Sequence, residues 1–288
     1  MKTYLVPVDF SGTSIHAAEF AALLSNQTDV KHIVLLHSYH ISVYESVLPT
    51  PDMTVPTPEE IEEHIIEKTD QLEQIKSRIL KTAREGVKIT VSVSSSALVR
   101  AIIETIDNEK GDLVILGSNG ADDENDSYVG SNVVSISRLS PVPIIVVPPA
   151  CFYQPIKRIV MACDFQKVKD TFPLQALKKL LKRHAFKLLV VNIDPSEKHK
   201  NTNPLQFAEE TVLYDMLEEY HPEYFYHNNP DVINGILNFA AEQHAQLVVA
   251  LPHNYSFFQS IVHNSVSHRL TIQSDIPVLL LKRSEPGL

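Results

Sequence analysis

Several residue types on which specialised proteins depend are scarce in this chain. Its 288 residues include two cysteines, Cys151 and Cys163, which are too few for a disulfide framework and lie outside any CxxC pair. This usage favours a reducing compartment, so we expect a cytoplasmic protein. Lys and Arg number 25 against 35 Asp and Glu, which gives a formal net charge of −10. Because nucleic acids and anionic membranes attract basic surfaces, the charge argues against both as partners.

Long hydrophobic runs and catalytic signatures are also missing. No apolar run approaches the roughly 20 residues that span a bilayer. The N-terminus, MKTYLVPVDF, meets Asp9 too early for a signal peptide and reads as a strand. There is no nucleophile elbow and no carboxylate pair with a catalytic signature, so we predict no catalytic residue. His253, His263 and His268 match no standard zinc spacing, and we predict no metal site.

The chain repeats its own pattern. Three segments of the first half resemble three of the second: YLVPVDFS (4–11) and RIVMACDFQ (158–166), DLVILGSNG (112–120) and QLVVALPHN (246–254), SPVPIIVV (140–147) and SDIPVLLL (274–281). The later pairs share an offset of 134 residues and the first pair an offset of 155, so the first copy is longer in its middle. We therefore expect two duplicated domains, 1–150 and 151–288, joined by the proline-rich VPPACFYQP.

Both copies alternate β-rich runs with helical patterns. Short apolar runs predict strands at 3–9, 32–37, 87–93, 112–116 and 143–147 in the first copy, and at 157–163, 187–192, 223–227, 246–250 and 277–282 in the second. Apolar residues at helical spacing predict a helix over 59–85: Ile61, Ile65, Leu72, Ile75 and Ile79. Nearly continuous apolar strands are typical of sheets buried on both faces. The pattern therefore predicts an α/β fold with doubly wound parallel sheets.

Glycine is rare, with eight residues in the chain, yet three lie in LGSNGADDENDSYVGS, residues 116–131. Gly117, Gly120, Gly130 and Ser131 give the spacing G-x2-G-x9-G-S, which is neither a Walker loop nor G-x-G-x-x-G. Glycine lets backbone amides approach an anion, and a helix beginning near Ser131 would add unpaired amides and a favourable dipole. The stretch is therefore a candidate phosphate site, although a surface loop with a glycine turn at each end has the same spacing.

The VPVDFS segment, the G-x2-G-x9-G-S loop and the SPVPIIVVP segment together resemble the universal stress protein family. The resemblance runs over both halves, so the chain resembles a tandem, two-domain member. It implies two five-stranded parallel sheets of strand order 3-2-1-4-5. Many members bind ATP and others do not.

Carried over position by position, the resemblance implies nucleotide contacts in the first half. Pro7 and Asp9 match residues that flank adenine and ribose, and the segment near His37 and Ser38 matches the backbone that reads the adenine edge. The other matching positions lie beside the ribose and phosphates: Leu116, Gly117, Gly120, Gly130, Ser131 and Asn132. The family often has a valine and then Ser or Thr after that serine. Here Asn132 and Val133 follow, so one hydroxyl contact is missing.

The loop also carries negative charge. Residues 121–129 contain no Lys or Arg and four carboxylates: Asp122, Asp123, Glu124 and Asp126. Direct contact of these groups with a triphosphate would be repulsive. Two alternatives follow: the insert points into solvent, or a divalent cation such as Mg²⁺ bridges it to the phosphates.

The second half keeps the loop spacing and loses every glycine. At the offset of 134, the loop positions are occupied by Leu251, Asn254, Asn264 and Ser265. Leu251 and the bulky insert YSFFQSIVH would crowd a phosphate, and Asn264 replaces a glycine that lets the backbone approach it. We therefore predict a degenerate domain that does not bind ATP.

Three functional hypotheses remain. The first is a stress-response binding and signalling module whose first domain takes ATP, with Mg²⁺ as companion cation. The second is a weak ATPase, and the third is a structural dimerisation protein with both sites empty. In each we expect the two domains to pair within one chain, and a homodimer stays open.

Overall fold

The computed structural model describes residues 2–39, 57–118, 131–163, 178, 186–195, 204–250 and 276–281. These residues contain ten strands: β1 (Thr3–Pro7), β2 (His32–Ser38), β3 (Lys88–Ser94), β4 (Leu113–Gly117), β5 (Ile144–Val147), β6 (Arg158–Ala162), β7 (Lys187–Asp194), β8 (Glu223–Asn228), β9 (Leu247–Ala250) and β10 (Val278–Leu280). Every predicted strand is therefore confirmed, with ends that differ by a few residues.

The described part of the chain also contains six α-helices: α1 (Gly12–Leu24), α2 (Pro58–Ile79), α3 (Leu98–Glu109), α4 (Ser131–Leu139), α5 (Pro204–Leu217) and α6 (Val232–Glu242). A single 3-10 turn follows α1 at Ser25–Gln27, and another follows α5 at Glu218–Tyr220. Within the described residues, no helix has the length and apolar character that crossing a membrane requires.

The strands form one sheet of order β3-β2-β1-β4-β5-β10-β9-β6-β7-β8. Each half taken alone has the order 3-2-1-4-5, and all neighbours within a half are parallel. The predicted fold class is therefore confirmed. The halves meet where β5 and β10 pair antiparallel, with Ile144 opposite Leu280 and Val146 opposite Val278. The fifth strands of both halves thus cover one another's open edges.

Alternation along the strands divides the apolar residues between two faces of this sheet. Tyr4 and Val6 of β1 point to one face, where α1, α2 and α5 pack. Leu5 points to the opposite face, where α3, α4 and α6 pack. Since both faces are covered, the inner strands are almost fully buried, and this explains their nearly continuous apolar sequence. The outermost strands β3 and β8 are mostly half-buried or exposed.

The α2 helix is shorter than its sequence pattern predicts. It begins after a capping box in which Thr57 and Glu60 bond each other's backbone, and it ends at Ile79 instead of residue 85. The residues after Ile79 form a turn because tertiary contacts hold them. Asn26 Nδ2 donates to the Thr82 carbonyl at 2.9 Å, and the Arg84 amide donates to Ser25 Oγ at 2.8 Å.

The segment between the halves lies against α1 and its 3-10 turn. Gln27 Oε1 accepts from the Ile156 amide at 2.7 Å and from the Tyr153 hydroxyl at 2.8 Å. The Tyr153 ring packs edge-on against Phe20, with 5.4 Å between ring centroids. His16 Nε2 bonds the Cys151 carbonyl at 2.5 Å. The connection is therefore bound along its course and does not run free between the two halves.

Candidate functional site

The carboxyl ends of β1 and β4 lie side by side at the point where the strand order of the first half reverses. The chain leaves β1 towards α1 on one face and reaches α4 on the other face after β4. Loops that diverge in this way open a crevice at the sheet edge, and ligands of doubly wound sheets bind there. Pro7 ends β1 and Gly117 ends β4, so both predicted positions lie at this edge.

The turn after β1 is held by its own side chains. Asp9 Oδ1 accepts from the Ser11 amide at 3.0 Å and from the Ser11 hydroxyl at 2.5 Å. Ser11 also caps α1, since its Oγ accepts from the Ser14 amide at 3.2 Å. Between them, Phe10 has a φ of +66°, a left-handed conformation that is uncommon for an aromatic residue and that concentrates at functional sites. Asp9 itself is exposed at the sheet edge.

The glycine at position 117 has a packing reason. A Cβ there would lie 2.7 Å from the carbonyl oxygen of Thr13 in the first turn of α1. Only glycine therefore lets α1 approach the end of β4 this closely. Leu116 is buried on the α3 and α4 face. Its side chain belongs to the core, and its backbone lies at the edge of the crevice.

The end of β2 forms the third wall. Ser38 Oγ donates to the Ser96 carbonyl at 2.7 Å and so binds β2 to the residues that precede α3. Its neighbour His37 points to the opposite face, where Nδ1 lies 2.8 Å from the Val8 carbonyl oxygen. A carbonyl can only accept, so Nδ1 carries the hydrogen. Sequence reasoning identified this segment for its backbone and missed the His37 side chain.

One cation and two rings lie beside the β1 turn. The Phe10 and His37 rings pack at 4.7 Å between centroids, and Lys68 Nζ of α2 lies 5.3 Å from the Phe10 centroid. Burial lowers the pKa of His37, and Lys68 and His64 lower it further, against the opposing effects of the bond to Val8 and of Asp9. His37 is therefore neutral at pH 7, with Nε2 unprotonated.

The remaining predicted residues divide into those inside and those outside the described part of the chain. The α4 helix begins at Ser131, and Asn132 in its first turn is exposed. Since α4 runs back against the strands, its N-terminus faces the same edge as Pro7 and Gly117. Gly120 and Gly130 lie outside the described residues, as do the four carboxylates of 121–129.

The second half reproduces part of this arrangement. Asn192 of β7 occupies the position of His37, and its Nδ2 donates to the Cys163 carbonyl at 2.8 Å. Cys163 in turn occupies the position of Val8. The counterparts of Asp9 and of the glycine loop lie outside the described residues: Asp164, Leu251, Asn254, Asn264 and Ser265, together with His253, His263 and His268. Among the residues that are described, no group of three or more His, Cys, Asp or Glu is arranged to hold a metal ion.

Comparisons with known proteins agree with this architecture. A universal stress protein from Archaeoglobus fulgidus DSM 4304 is 21% identical, with a TM-score of 0.68 over 99% of this chain and 97% of that chain. A functionally unknown protein from Pseudomonas aeruginosa PAO1 is 15% identical, with a TM-score of 0.57 over 98% of this chain and 92% of that chain. These likenesses establish the fold of both halves.

Sequence comparison gives the family directly. No curated protein matches the chain. The sequence model of the universal stress protein family matches residues 1–148, which is more than half of the chain. The chain therefore belongs to the universal stress protein family.

Proposed function

We propose that the first half binds one adenine nucleotide, with ATP as the leading candidate, and that the protein acts as a binding and signalling module in a stress response. The observation that carries the proposal is the convergence of three elements at the switch point of the first half. They are the Asp9 turn after β1, the end of β4 at Gly117 and the N-terminus of α4 at Ser131. These positions coincide with the family pattern read from the sequence.

The chemistry of this edge suits such a ligand. Asp9 is exposed at this edge, and a carboxylate is a suitable acceptor for the hydroxyls of a ribose. The nine-residue α4 directs its positive end at the same edge, which favours phosphate. The end of β2 at Ser38 is half-buried at the same edge, and we place the base beside it. The residues present therefore fit a nucleotide. We propose that the bound nucleotide also lies beside Pro7, Ser38, Leu116 and Asn132.

A magnesium ion belongs to the proposal because of charge. Residues 121–129 carry four carboxylates, and the chain as a whole carries −10. A triphosphate meets less repulsion there if a divalent cation accompanies it. The scarcity of cysteine supports a cytoplasmic location.

The division of labour between the halves is part of the proposal. We place the domain boundary near residue 150, so that 1–150 binds nucleotide and 151–288 does not. Support comes from Leu251 and Asn264, which stand in the sequence where the first half has Gly117 and Gly130. The second half then serves as the permanent partner of the first across the β5–β10 pair.

One observation favours a second candidate, a structural pseudo-dimer with no ligand. Gly117 is required by its contact with Thr13, and the Asp9 carboxylate is bound by Ser11. Both residues thus have a folding role that needs no nucleotide. Gly120 and Gly130 are the residues that separate the two candidates.

Calorimetric titration of the full chain with ATP, with and without Mg²⁺, tests the proposal. We expect about one site per chain, and Gly130→Val should weaken binding at least about tenfold because a β-branched side chain blocks the approach of the backbone. If the carboxylates recruit a cation, the Asp122→Ala/Asp123→Ala variant should weaken binding only when Mg²⁺ is present; if they repel, it should tighten binding without Mg²⁺. No detectable binding of wild type at millimolar ATP would leave the structural candidate standing.

A further inference from the structure

The peptide unit that joins Val8 to Asp9 is fixed at both of its polar ends. Its carbonyl oxygen accepts from His37 Nδ1 at 2.8 Å, and its N–H, which belongs to Asp9, donates to Ser14 Oγ at 3.3 Å. The Val8 amide on the other side donates to the Leu36 carbonyl at 2.8 Å. Since a peptide is planar, holding its oxygen and nitrogen fixes the direction in which the chain enters the Asp9 turn.

His37 also supports the residue after Asp9. Its ring packs against Phe10, whose left-handed backbone needs support from its surroundings to persist. Lys68 lies over the Phe10 ring. The His37 side chain therefore touches the turn twice, once through the hydrogen bond to Val8 and once through the ring of Phe10.

The second half separates these two contacts. Asn192 keeps the hydrogen bond to the residue after the central strand, at the same 2.8 Å, without an imidazole ring. The backbone bond is matched as well, because the Cys163 amide donates to the Val191 carbonyl at 3.0 Å. A side-chain donor at this position is thus the feature that both halves share, and an amide supplies it as well as an imidazole does.

We propose that His37 is a positioning residue of the first-half site: its Nδ1–H holds the Val8 carbonyl, and this bond sets the orientation in which the Asp9 turn meets the ligand. The inference rests on the proposed nucleotide function. It assigns to His37 no contact with the ligand, and it predicts that the donor at this position is what matters, not the ring or its charge.

The test is ATP titration of the full chain in three variants. His37→Ala removes the donor and should weaken binding about five- to tenfold, the range of one lost hydrogen bond. His37→Asn installs the side chain that the second half uses and should bind within about twofold of wild type. Asn192→Ala removes the equivalent hydrogen bond from the second half, which we propose does not bind ATP. It should leave the affinity for ATP unchanged. It should lower the melting temperature about as much as His37→Ala does.

The outcomes separate positioning from stability. Hydrogen exchange at the Asp9 amide should accelerate in His37→Ala and stay slow in His37→Asn. Wild-type affinity in His37→Ala overturns the inference, and so does an affinity in His37→Asn as weak as that of His37→Ala. An equal loss of affinity in Asn192→Ala would assign the effect to global stability. If wild type itself binds no ATP, the proposed function fails and the inference fails with it, a result distinct from binding that ignores His37.

Discussion

The two halves hold the start of their central strands with the same device made from different chemistry. Asp112 Oδ2 accepts from the amides of Lys2 and Thr3 at 2.7 and 3.2 Å. At the equivalent place in the second half, Gln246 Oε1 accepts from the amides of Lys157 and Arg158, both at 2.9 Å. A charged carboxylate and a neutral amide therefore do one task, which shows that the geometry of the acceptor matters here more than its charge.

The end of the helix that precedes the fourth strand of each half gives the same lesson in the backbone. Lys110 after α3 and His244 after α6 both adopt the left-handed conformation, with φ of 52° and 50°. The amide of the next residue then bonds a carbonyl one turn back, Gly111 to Ile106 and Ala245 to Ala240, each at 2.9 Å. Neither position uses glycine for the turn, so its conformation is imposed by the helix ending and by the strand that follows.

The start of these helices differs. Ala97 precedes α3 and provides no side-chain cap, whereas Asp231 precedes α6 and accepts from the amides of Ile233 and Asn234, both at 3.1 Å. The two halves thus differ in the capping of this helix and in the sequence of the candidate phosphate loop. They share the hydrogen bonds that hold the start of the central strand. Substitutions at four positions test how far the two halves are equivalent.

The largest expected effect comes from giving the first half the leucine of the second. Gly117→Leu places a side chain 2.7 Å from the Thr13 carbonyl, so α1 must move away from β4. We expect the free energy of unfolding to fall by about 2–4 kcal/mol, measured by denaturant titration. The control is Gly12→Ala, where an added Cβ meets nothing within 4 Å. A Gly117→Leu protein as stable as this control would show that the close approach is not needed.

The connection between the halves is the next target. Gln27→Ala removes the acceptor of the Ile156 amide and the Tyr153 hydroxyl, leaving both partly buried donors to find water. We expect a loss of about 1–2 kcal/mol and faster proteolysis between residues 148 and 157. Gln71→Ala on α2 is the matched control, because Gln71 bonds only side chains of its own helix. Unchanged proteolysis in Gln27→Ala would mean that the hydrogen bonds of Gln27 do not hold the segment between the halves in place.

Asp112 and Gln246, which occupy equivalent positions in the two halves, allow a test of whether the charge or the geometry of the acceptor matters. Asp112→Ala should lower the stability by about 1 kcal/mol because two amides lose their acceptor. Asp112→Asn should recover most of it, as the amide oxygen of Gln246 does in the second half. Thermal unfolding of both variants checks this, and an Asn variant as unstable as the Ala variant would show that the first half does depend on the negative charge.

The smallest expected effect is a pH dependence. Burial lowers the pKa of His37 in the folded chain, so the unfolded chain takes up a proton first as the pH falls through about 6.5. Stability contributed by the neutral ring is therefore complete above that pH and decreases below it. His37→Asn should flatten this decrease in urea titrations between about pH 7 and 5. Part of the decrease in stability should remain in this variant, because burial also lowers the pKa of His32. An identical slope in the variant would exclude His37 as a source.

The sequence determined the fold because its signals were local and repeated. Apolar runs of strand length, separated by helical stripes, predicted the ten strands, and the duplication repeated this prediction. The order of the strands within each half came from the resemblance to the family. The edge of the sheet that carries the candidate site followed from the same reasoning, since Pro7 and Gly117 end neighbouring parallel strands. The resemblance added Asp9.

Features that depend on residues far apart in the sequence could be found only in the tertiary structure. The end of α2 at Ile79 is set by contacts of Asn26 and Ser25 with the turn that follows, and no helical stripe contains them. The contact of Gly117 with Thr13, the tie from His37 to Val8 and the antiparallel meeting of β5 with β10 are likewise invisible in a one-dimensional pattern. Periodicity records which face a residue uses, whereas a hydrogen bond or a clash depends on which atom of another element lies opposite.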